Sequence, residues 1–149
     1  MSAPLEPAAA RRLGPEDGAL AAEAVRRVKE ADVDAVWLGA FLKKPENLLI
    51  VAQEGGVPAG FLLAYALDRV DRERRMICLY EIGVAASSRR RGLATAMIEA
   101  LLAWCRSQGV MKTWVITDRS NDAAMRLYAA TGGRPDAGDD VVFVWAGEG

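Results

Sequence analysis

The chain has 149 residues, of which 52% are hydrophobic and 26% charged, so it is long enough to fold as one domain around its own core. Its formal net charge of −1 argues against general nucleic-acid binding. It contains no histidine, which excludes histidine general bases, serine–histidine triads and histidine metal ligands.

Hydrophobic periodicity and turn residues predict the elements in chain order. In the first third of the chain we expect a strand at Arg11–Leu13, a helix entered at Gly14–Asp17 and running to Glu30, and a helix at Asp32–Leu42 with Val36, Trp37, Ala40 and Phe41 on its apolar side. Three strands should follow, at Leu48–Glu54, Val57–Leu67 and Met76–Val84, with a Gly55-Gly56 turn between the first two. The rest of the chain should form a helix at Gly92–Gln108, a strand at Lys112–Thr117, a helix from Asn121 or Asp122 to Thr131, and a last strand at Val141–Trp145. This order predicts a mixed α/β fold with antiparallel hairpins and one right-handed strand–helix–strand crossover.

Several sequence features limit the cellular context. Residues 1–10 are small and rich in proline and alanine, which predicts a disordered leader rather than a signal peptide, followed by a single domain over 11–149. No apolar run approaches the ~20 residues that span a bilayer, so no membrane partner is expected. Cys78 and Cys105 lie in apolar stretches without metal-ligand spacing, as expected for buried thiols of a cytoplasmic protein, and we expect no metal site.

The most informative stretch is Arg89-Arg90-Arg91-Gly92, between the Met76–Val84 strand and the helix after it. A helix start offers N–H groups without intrahelical acceptors and a positive dipole end, and a glycine lets a phosphate approach the backbone. The order strand, basic glycine turn, helix therefore predicts a polyanion site. An exposed basic turn with a glycine for geometry remains the alternative.

With its neighbours, this stretch resembles the GNAT superfamily of acetyl-CoA-dependent N-acetyltransferases, and within it the type I aminoglycoside 3-N-acetyltransferases. Arg89, Gly92 and Ala94 fit the family pattern of Arg or Gln, two residues, Gly, one residue, Gly or Ala, and Asn121 and Tyr128 follow in order. The resemblance covers about two-thirds of the chain, from Leu48 to Trp145. It implies a mostly antiparallel central sheet with flanking helices and one β-α-β crossover.

The resemblance implies that coenzyme A binds at the end of the Met76–Val84 strand and the turn after it. The expected coenzyme-binding residues are Ile82, Gly83, Val84, Arg89, Arg90, Arg91, Gly92, Leu93, Ala94, Thr95 and Asn121. The strand before the turn would be bulged and offer backbone groups to the pantetheine arm. Gly83 is compatible with that bulge or with a close packing contact. Asn121 alone is equally explained as a helix cap.

Acetyl transfer to an amine requires a base for the ammonium and an acid for the departing thiolate. Glu81 is the candidate base, directly or through a water, because it opposes Tyr80 and Ile82 if those two share a face of the strand. The alternative is a structural ion pair with an arginine such as Arg126. The aminoglycoside enzymes place an aspartate at this position. The resemblance makes Tyr128 the candidate acid, against the alternative of a half-buried helix aromatic.

Carboxylates elsewhere suggest the acceptor. Asp118, Asp139 and Asp140 would form an anionic cleft for a small polycationic amine if they converge with Glu81; otherwise they are solvated loop acids. We therefore expect acetyl transfer from acetyl-CoA to an aminoglycoside amine, the 3-amino group by resemblance. The alternatives are another amine, polyamine or protein N-terminus, and a non-catalytic coenzyme A-binding module. The apolar Val141–Trp145 run fits a buried final strand or a homodimer seam equally well.

Overall fold

The computed structural model describes residues 9–136 and 138–147, and most of the predicted leader lies outside them. A five-stranded sheet has its strands in chain order: β1 Ala9–Arg12, β2 Asn47–Glu54, β3 Val57–Asp68, β4 Arg75–Val84 and β5 Lys112–Val115. The pairs β1–β2, β2–β3 and β3–β4 are antiparallel, and β5 runs parallel to β4. This confirms the predicted mixed, mostly antiparallel sheet.

The helices flank this sheet and begin close to their predicted starts. They are α1 Gly18–Lys29, α2 Ala35–Leu42, α3 Leu93–Ser107 and α4 Asp122–Ala130, with short 3-10 turns at Pro15–Asp17 and Ala86–Ser88. Helix α3 connects β4 to the parallel strand β5, which makes it the crossover helix. Both glycines of the β2–β3 turn have positive φ, 57° at Gly55 and 78° at Gly56, which confirms the predicted tight hairpin.

Successive buried side chains of the central strands point to opposite faces of the sheet and form a core on each face. On the α3 face, Ile50 and Leu62 pack with Met97 and Leu101. On the opposite face, which we call the α1 face, strand residues pack with helices α1 and α2: Leu49, Val51 and Phe61 against Ala21, Ala24 and Leu38. Burying apolar surface on both faces of β2 and β3 supplies the main stabilisation of the sheet.

Strand β4 carries a bulge at Tyr80. Strand β3 pairs Leu63 with Glu81 and Ala64 with Leu79, so Tyr80 has no partner in the ladder. An extra residue in one strand reverses the alternation of side chains beyond it. The direction of every following side chain, including the candidate base, depends on this residue.

The bulge separates Glu81 from the core. Leu79 and Ile82 both pack on the α3 face, whereas Glu81 lies on the α1 face. The ring of Tyr80 meets Tyr65 edge-on, with ring centroids 5.6 Å apart. The expectation that Tyr80 and Ile82 share a face is therefore wrong, although Glu81 does point away from Ile82.

Two further sequence expectations are wrong. Helix α2 buries Leu38 and Leu42, while Val36 and Trp37 of the predicted apolar side are 83% and 55% exposed. Residues Val141–Trp145 form no strand, and their side chains are between 65% and 86% exposed. In both cases the sequence specified apolar residues, but the tertiary partner decides which of them are covered.

Candidate active site

The turn between β4 and α3 opens toward solvent at Gly92. This residue precedes the helix with φ 78°, and a Cβ built on it would meet no heavy atom within 4 Å. The first helical N–H groups, those of Leu93, Ala94 and Thr95, have no acceptor within the helix, and no side chain caps them at Gly92. The turn therefore presents backbone donors, a positive dipole end and free space for an anion.

The three arginines of the turn have different surroundings. Arg91 forms an ion pair with Glu54 at the end of β2, with Nη1 2.6 Å from Oε1. The Nε of Arg89 donates to the carbonyl oxygen of Val84 at 3.4 Å. Arg90 is exposed and adopts φ 65°, which is rare for a non-glycine residue. Arg91 thus ties the turn to the β2–β3 hairpin, and all three charges lie beside the start of α3.

Strands β4 and β5 pair over only four residues each, from Met76 with Lys112 to Leu79 with Val115. Beyond Leu79, β4 continues to Val84 without a pairing partner on that side among the described strands. Its backbone N–H and C=O groups there form an open edge, which a ligand with amide groups can pair with. This open edge leads directly into the turn at Gly92.

The residues along the open edge of β4 offer backbone rather than side chains. Ile82 and Val84 pack against the core of the α3 face. Gly83 pairs with Phe61, and a Cβ on it would lie 2.5 Å from Cγ1 of Val28. Gly83 is therefore a packing glycine that lets α1 approach β4, and the bulge lies at Tyr80 instead.

Glu81 lies on the α1 face and forms an ion pair with Lys29, the last residue of α1. The Nζ and Oε1 atoms are 2.7 Å apart, and the two side chains are 47% and 34% exposed. The structural partner considered from the sequence, Arg126, is not the one found. The nearby phenol of Tyr65 has a raised pKa, first because it is partly buried and then because the acidic groups of Tyr80, Glu81 and Cys78 oppose a second negative charge beside them.

Tyr128 lies on α4 and is half-buried against the core of the α3 face, beside Leu127. Burial raises the pKa of its phenol. The backbone N–H of Gly133 donates to the carbonyl oxygen of Tyr128 at 2.8 Å, which fixes the end of the helix. A protonated phenol in this position is able to donate a proton over the whole neutral range.

The polar residues before α4 have structural roles of their own. Asn121 Oδ1 accepts a hydrogen bond from the N–H of Ala124 at 3.1 Å and caps the helix. Asp118 Oδ1 accepts hydrogen bonds from the Ser120 N–H at 2.8 Å and hydroxyl at 2.7 Å, and these bonds lower its pKa. Both side chains are exposed, so these local bonds leave room for a ligand.

The sequence model of the acetyltransferase (GNAT) family matches residues 18–132, which contain the turn, the open edge of β4 and both candidate catalytic residues. The chain belongs to the GNAT family. It is 25% identical over 114 residues to an uncharacterised N-acetyltransferase of Mycobacterium tuberculosis, covering 76% of this chain and 70% of that protein. It is 27% identical over 82 residues to N-acetyltransferase family 8 member 2 of Rattus norvegicus, covering 55% of this chain but only 36% of that protein.

Solved GNAT structures superpose over nearly the whole chain. An aminoglycoside acetyltransferase from an uncultured soil metagenomic sample has a TM-score of 0.79 at 26% identity, covering 94% of this chain and 100% of that one. Another, in complex with sisomicin, has a TM-score of 0.79 at 21% identity, covering 95% and 96%. An aminoglycoside N-acetyltransferase in complex with CoA has a TM-score of 0.76 at 20% identity, covering 97% and 99%. Together with the family match, these neighbours support an acetyl-transferring enzyme that uses coenzyme A.

The three acids predicted to bind the acceptor lie in exposed segments on either side of α4, Asp118 before it and Asp139 and Asp140 after it. Asp139 and Asp140 lie in the exposed segment after α4, and within the described residues neither has a recorded contact with Glu81 or Asp118. Sequence reasoning also missed Lys29 and Tyr65, which lie far from Glu81 along the chain. Only the docking of α1 and the β3–β4 register reveal that they surround it.

Two cavities in the described part of the chain lie away from these residues. A groove of about 880 Å³ is bordered by the β3–β4 loop and the end of α3, with Arg69, Arg74 and Gly109 among its lining residues. A smaller cavity of about 80 Å³ lies between β1 and α1. None of the predicted site residues lines either one. The candidate site is an open strand edge and turn, so backbone geometry identifies it better than enclosed volume does.

Two other properties concern the described residues alone. Within them, no group of three or more Cys, Asp or Glu side chains is placed to hold a metal ion. None of the helices in this part of the chain has both the length and the apolar character needed to cross a membrane. Cys78 and Cys105 are free thiols, with Cys105 buried and Cys78 half-buried.

Proposed function

We propose that this GNAT chain transfers the acetyl group of acetyl-CoA directly to a primary amine of a small polycationic acceptor, an aminoglycoside, at its 3-amino group. The observation that carries the proposal is the open edge of β4 beyond Leu79, which leads into the helix start at Gly92. A pantetheine arm has the amide groups that such an edge pairs with, and a pyrophosphate has the charge that such a helix start attracts.

In this proposal, coenzyme A is held mostly by backbone. The N–H groups of the Gly92–Thr95 segment donate hydrogen bonds to the pyrophosphate oxygens, and Arg89, Arg90 and Arg91 contribute positive charge. The backbone from Ile82 to Val84 pairs with the pantetheine arm. Because Gly92 carries no Cβ and has open space around it, the phosphate can reach the helix start.

The transfer exchanges a C–S bond for a C–N bond, removes two protons from the acceptor nitrogen and gives one proton to the sulfur. Glu81 accepts a proton from the acceptor ammonium, directly or through a water. The neutral nitrogen then attacks the thioester carbonyl carbon, a C–N bond forms, the C–S bond breaks, and Tyr128 donates a proton to the departing sulfur. The nitrogen loses its second proton as the amide forms, and that proton restores the Tyr128 phenol through solvent, so that one proton is released overall. Burial raises the pKa of Tyr128, so the phenol is protonated before the transfer.

The proposed acceptor class is supported by exposed carboxylates of this chain and by the acceptors of solved structures with the same fold. Aminoglycosides carry several ammonium groups, and Asp118, Asp139 and Asp140 are exposed carboxylates that are available to bind those not acetylated. Solved neighbours of the same fold act on aminoglycosides, one of them in complex with sisomicin. The 3-amino position comes from the resemblance of the β4–α3 stretch to the 3-N enzymes.

A thiol-release assay over a panel of amines tests the proposal. The panel contains sisomicin, gentamicin, spermidine, a monoamine and a peptide N-terminus, with acetyl-CoA alone as the control. We expect thiol release with the aminoglycosides, and mass spectrometry of the product identifies the nitrogen. Release with only a monoamine or a peptide would assign a different acceptor. An increase in melting temperature with acetyl-CoA but no release with any amine would indicate a coenzyme A-binding module.

The C-terminal apolar run supports a further part of the proposal, a homodimer. Val141–Trp145 is a continuous exposed apolar segment, and β5 has a partner on one side only among the described strands. An exposed apolar run and an open strand edge are each typical association surfaces. Sedimentation should detect dimers that Phe143→Asp dissociates and that the control Val70→Asp, in the exposed β3–β4 loop, leaves intact.

A further inference from the structure

We propose, on the basis of the proposed function, that Lys29 is an internal competitor for the acceptor amine. Its ammonium group binds Glu81 where the acceptor ammonium has to bind, and it must be displaced before transfer. The ion pair has Nζ 2.7 Å from Oε1, the distance at which an acceptor amine that transfers its proton directly approaches a carboxylate base. Lys29 would therefore set the affinity for the acceptor without taking part in the chemistry.

Two separate features of the fold create this pair. The bulge at Tyr80 turns Glu81 to the α1 face of β4. Gly83, two residues further on the same face, lets Val28 of α1 come within contact distance of the strand. Lys29 is the next residue of the helix after Val28, so the same close approach brings its side chain to Glu81.

The end of α1 fixes where Lys29 is placed. Glu30 adopts φ 53° and its N–H donates to the carbonyl oxygen of Arg26 at 2.8 Å, so the chain leaves the helix directly after Lys29. The lysine therefore extends from the last helical position, over β4. Its neighbours on the helix, Arg26 and Arg27, are exposed and form no ion pair with a described residue.

The pair has the properties of an exchangeable contact rather than of a rigid structural one. Lys29 and Glu81 are 47% and 34% exposed, so water reaches both charges and replaces either partner at low cost. No other side chain in the described part of the chain has a recorded hydrogen bond to Glu81. An acceptor ammonium is the same chemical group as the Lys29 ammonium, and one carboxylate position holds only one of them closely.

Displacement of Lys29 from Glu81 should disfavour acceptors that carry several positive charges. Once displaced, the Lys29 ammonium remains near the site and repels every ammonium group of the bound acceptor. The penalty is therefore larger for a polycation than for a monoamine, and it decreases as salt screens the repulsion. Removing the charge should help sisomicin more than it helps a monoamine.

Steady-state kinetics of Lys29→Met with sisomicin and with a monoamine test the proposal. Because exposed ion pairs contribute little, we expect KM for the amine to fall about two- to fivefold with kcat unchanged, and to fall more for sisomicin. Lys29→Arg keeps the charge and should keep the wild-type KM. Arg27→Met removes a charge from the same helix, two residues away, and should leave KM unchanged.

A lower kcat with unchanged or higher KM in Lys29→Met would overturn the proposal, because it would mean that Lys29 supports Glu81 in catalysis. Calorimetric binding of sisomicin without acetyl-CoA gives a second measurement that does not need turnover. If wild-type protein acetylates no amine, the proposed function fails, and the calorimetry still tests whether Lys29 competes with an amine for Glu81. Equal sisomicin affinities of wild type and Lys29→Met would then exclude competition.

Discussion

The coenzyme region and the acceptor region of the candidate site are built in different ways. The coenzyme region, from Ile82 to Thr95, consists of an open strand edge, a turn and a helix start, and it offers mainly backbone groups. The acceptor region consists of side chains from three separate elements: Lys29 of α1, Tyr65 of β3, and Tyr80 and Glu81 of β4. Backbone sites depend on local geometry, whereas side-chain sites depend on how distant elements dock.

This difference predicts two kinds of mutational response. In the acceptor region and at the reacting atoms, exchanging one functional group should change kcat or the KM for the amine while the fold and the coenzyme affinity stay the same. In the coenzyme region, only a change in backbone conformation or in the space around it should matter. Each prediction below tests one side of this division.

Glu81→Gln should produce the largest effect, a loss of about 10²- to 10³-fold in kcat/KM for the amine, because the amide does not accept a proton. The affinity for acetyl-CoA should remain at the wild-type value. Stopped-flow thiol release and calorimetry with acetyl-CoA measure the two quantities. Glu73→Gln, the same exchange in the exposed β3–β4 loop, is the matched control. Wild-type turnover of Glu81→Gln would restrict Glu81 to its ion pair with Lys29.

Tyr128→Phe should lower kcat about 10²-fold, within the usual range for a general acid. Burial raises the pKa of Tyr128, so the acid form persists to higher pH than for an exposed tyrosine. The alkaline decrease in kcat that belongs to this group should therefore lie at higher pH than the titration of an exposed tyrosine. Retention of full turnover under conditions where chemistry limits the rate would make Tyr128 a packing residue.

The same division explains how much of the fold was predictable from the sequence. The β2–β3 hairpin, the start of α3 at Gly92 and the cap at Asn121 depend on local signals, and the structure confirms them. The buried face of α2 and the state of Val141–Trp145 depend on long-range packing. For these the sequence indicates apolar residues without indicating what covers them.

The candidate site follows the same rule. The open turn at Gly92 was predictable because strand, glycine and helix follow one another directly in the sequence. The sequence left Gly83 open between a bulge and a packing contact, and the bulge at Tyr80 was not predicted, because a bulge is a property of the pairing between two strands. The Lys29–Glu81 pair was missed altogether, since helix docking and strand register have to be known together to bring it about.

Gly92→Val should weaken acetyl-CoA binding about tenfold, a smaller effect than either loss of turnover. A valine at φ 78° is strained, and its side chain would occupy the space that the phosphate needs. Gly109→Val is the matched control, because Gly109 has φ 63° and equally open surroundings but lies at the other end of α3. Both variants should lose stability in thermal melts, and only Gly92→Val should lose coenzyme affinity. Equal coenzyme affinities in the two variants would contradict the phosphate site.

Asp118→Asn should have the smallest effect, a two- to threefold increase in KM for sisomicin at about 0.15 M salt, with kcat nearly unchanged. The substitution removes only the charge, because an asparagine Oδ1 can still accept the hydrogen bonds from Ser120. The difference from wild type should diminish as salt rises, since ions screen an exposed carboxylate. Asp68→Asn, at the exposed end of β3, should leave KM unchanged. An Asp118→Asn effect that persists at high salt, or one that appears equally in Asp68→Asn, would remove Asp118 from the acceptor site and confine acceptor recognition to the side chains around Glu81.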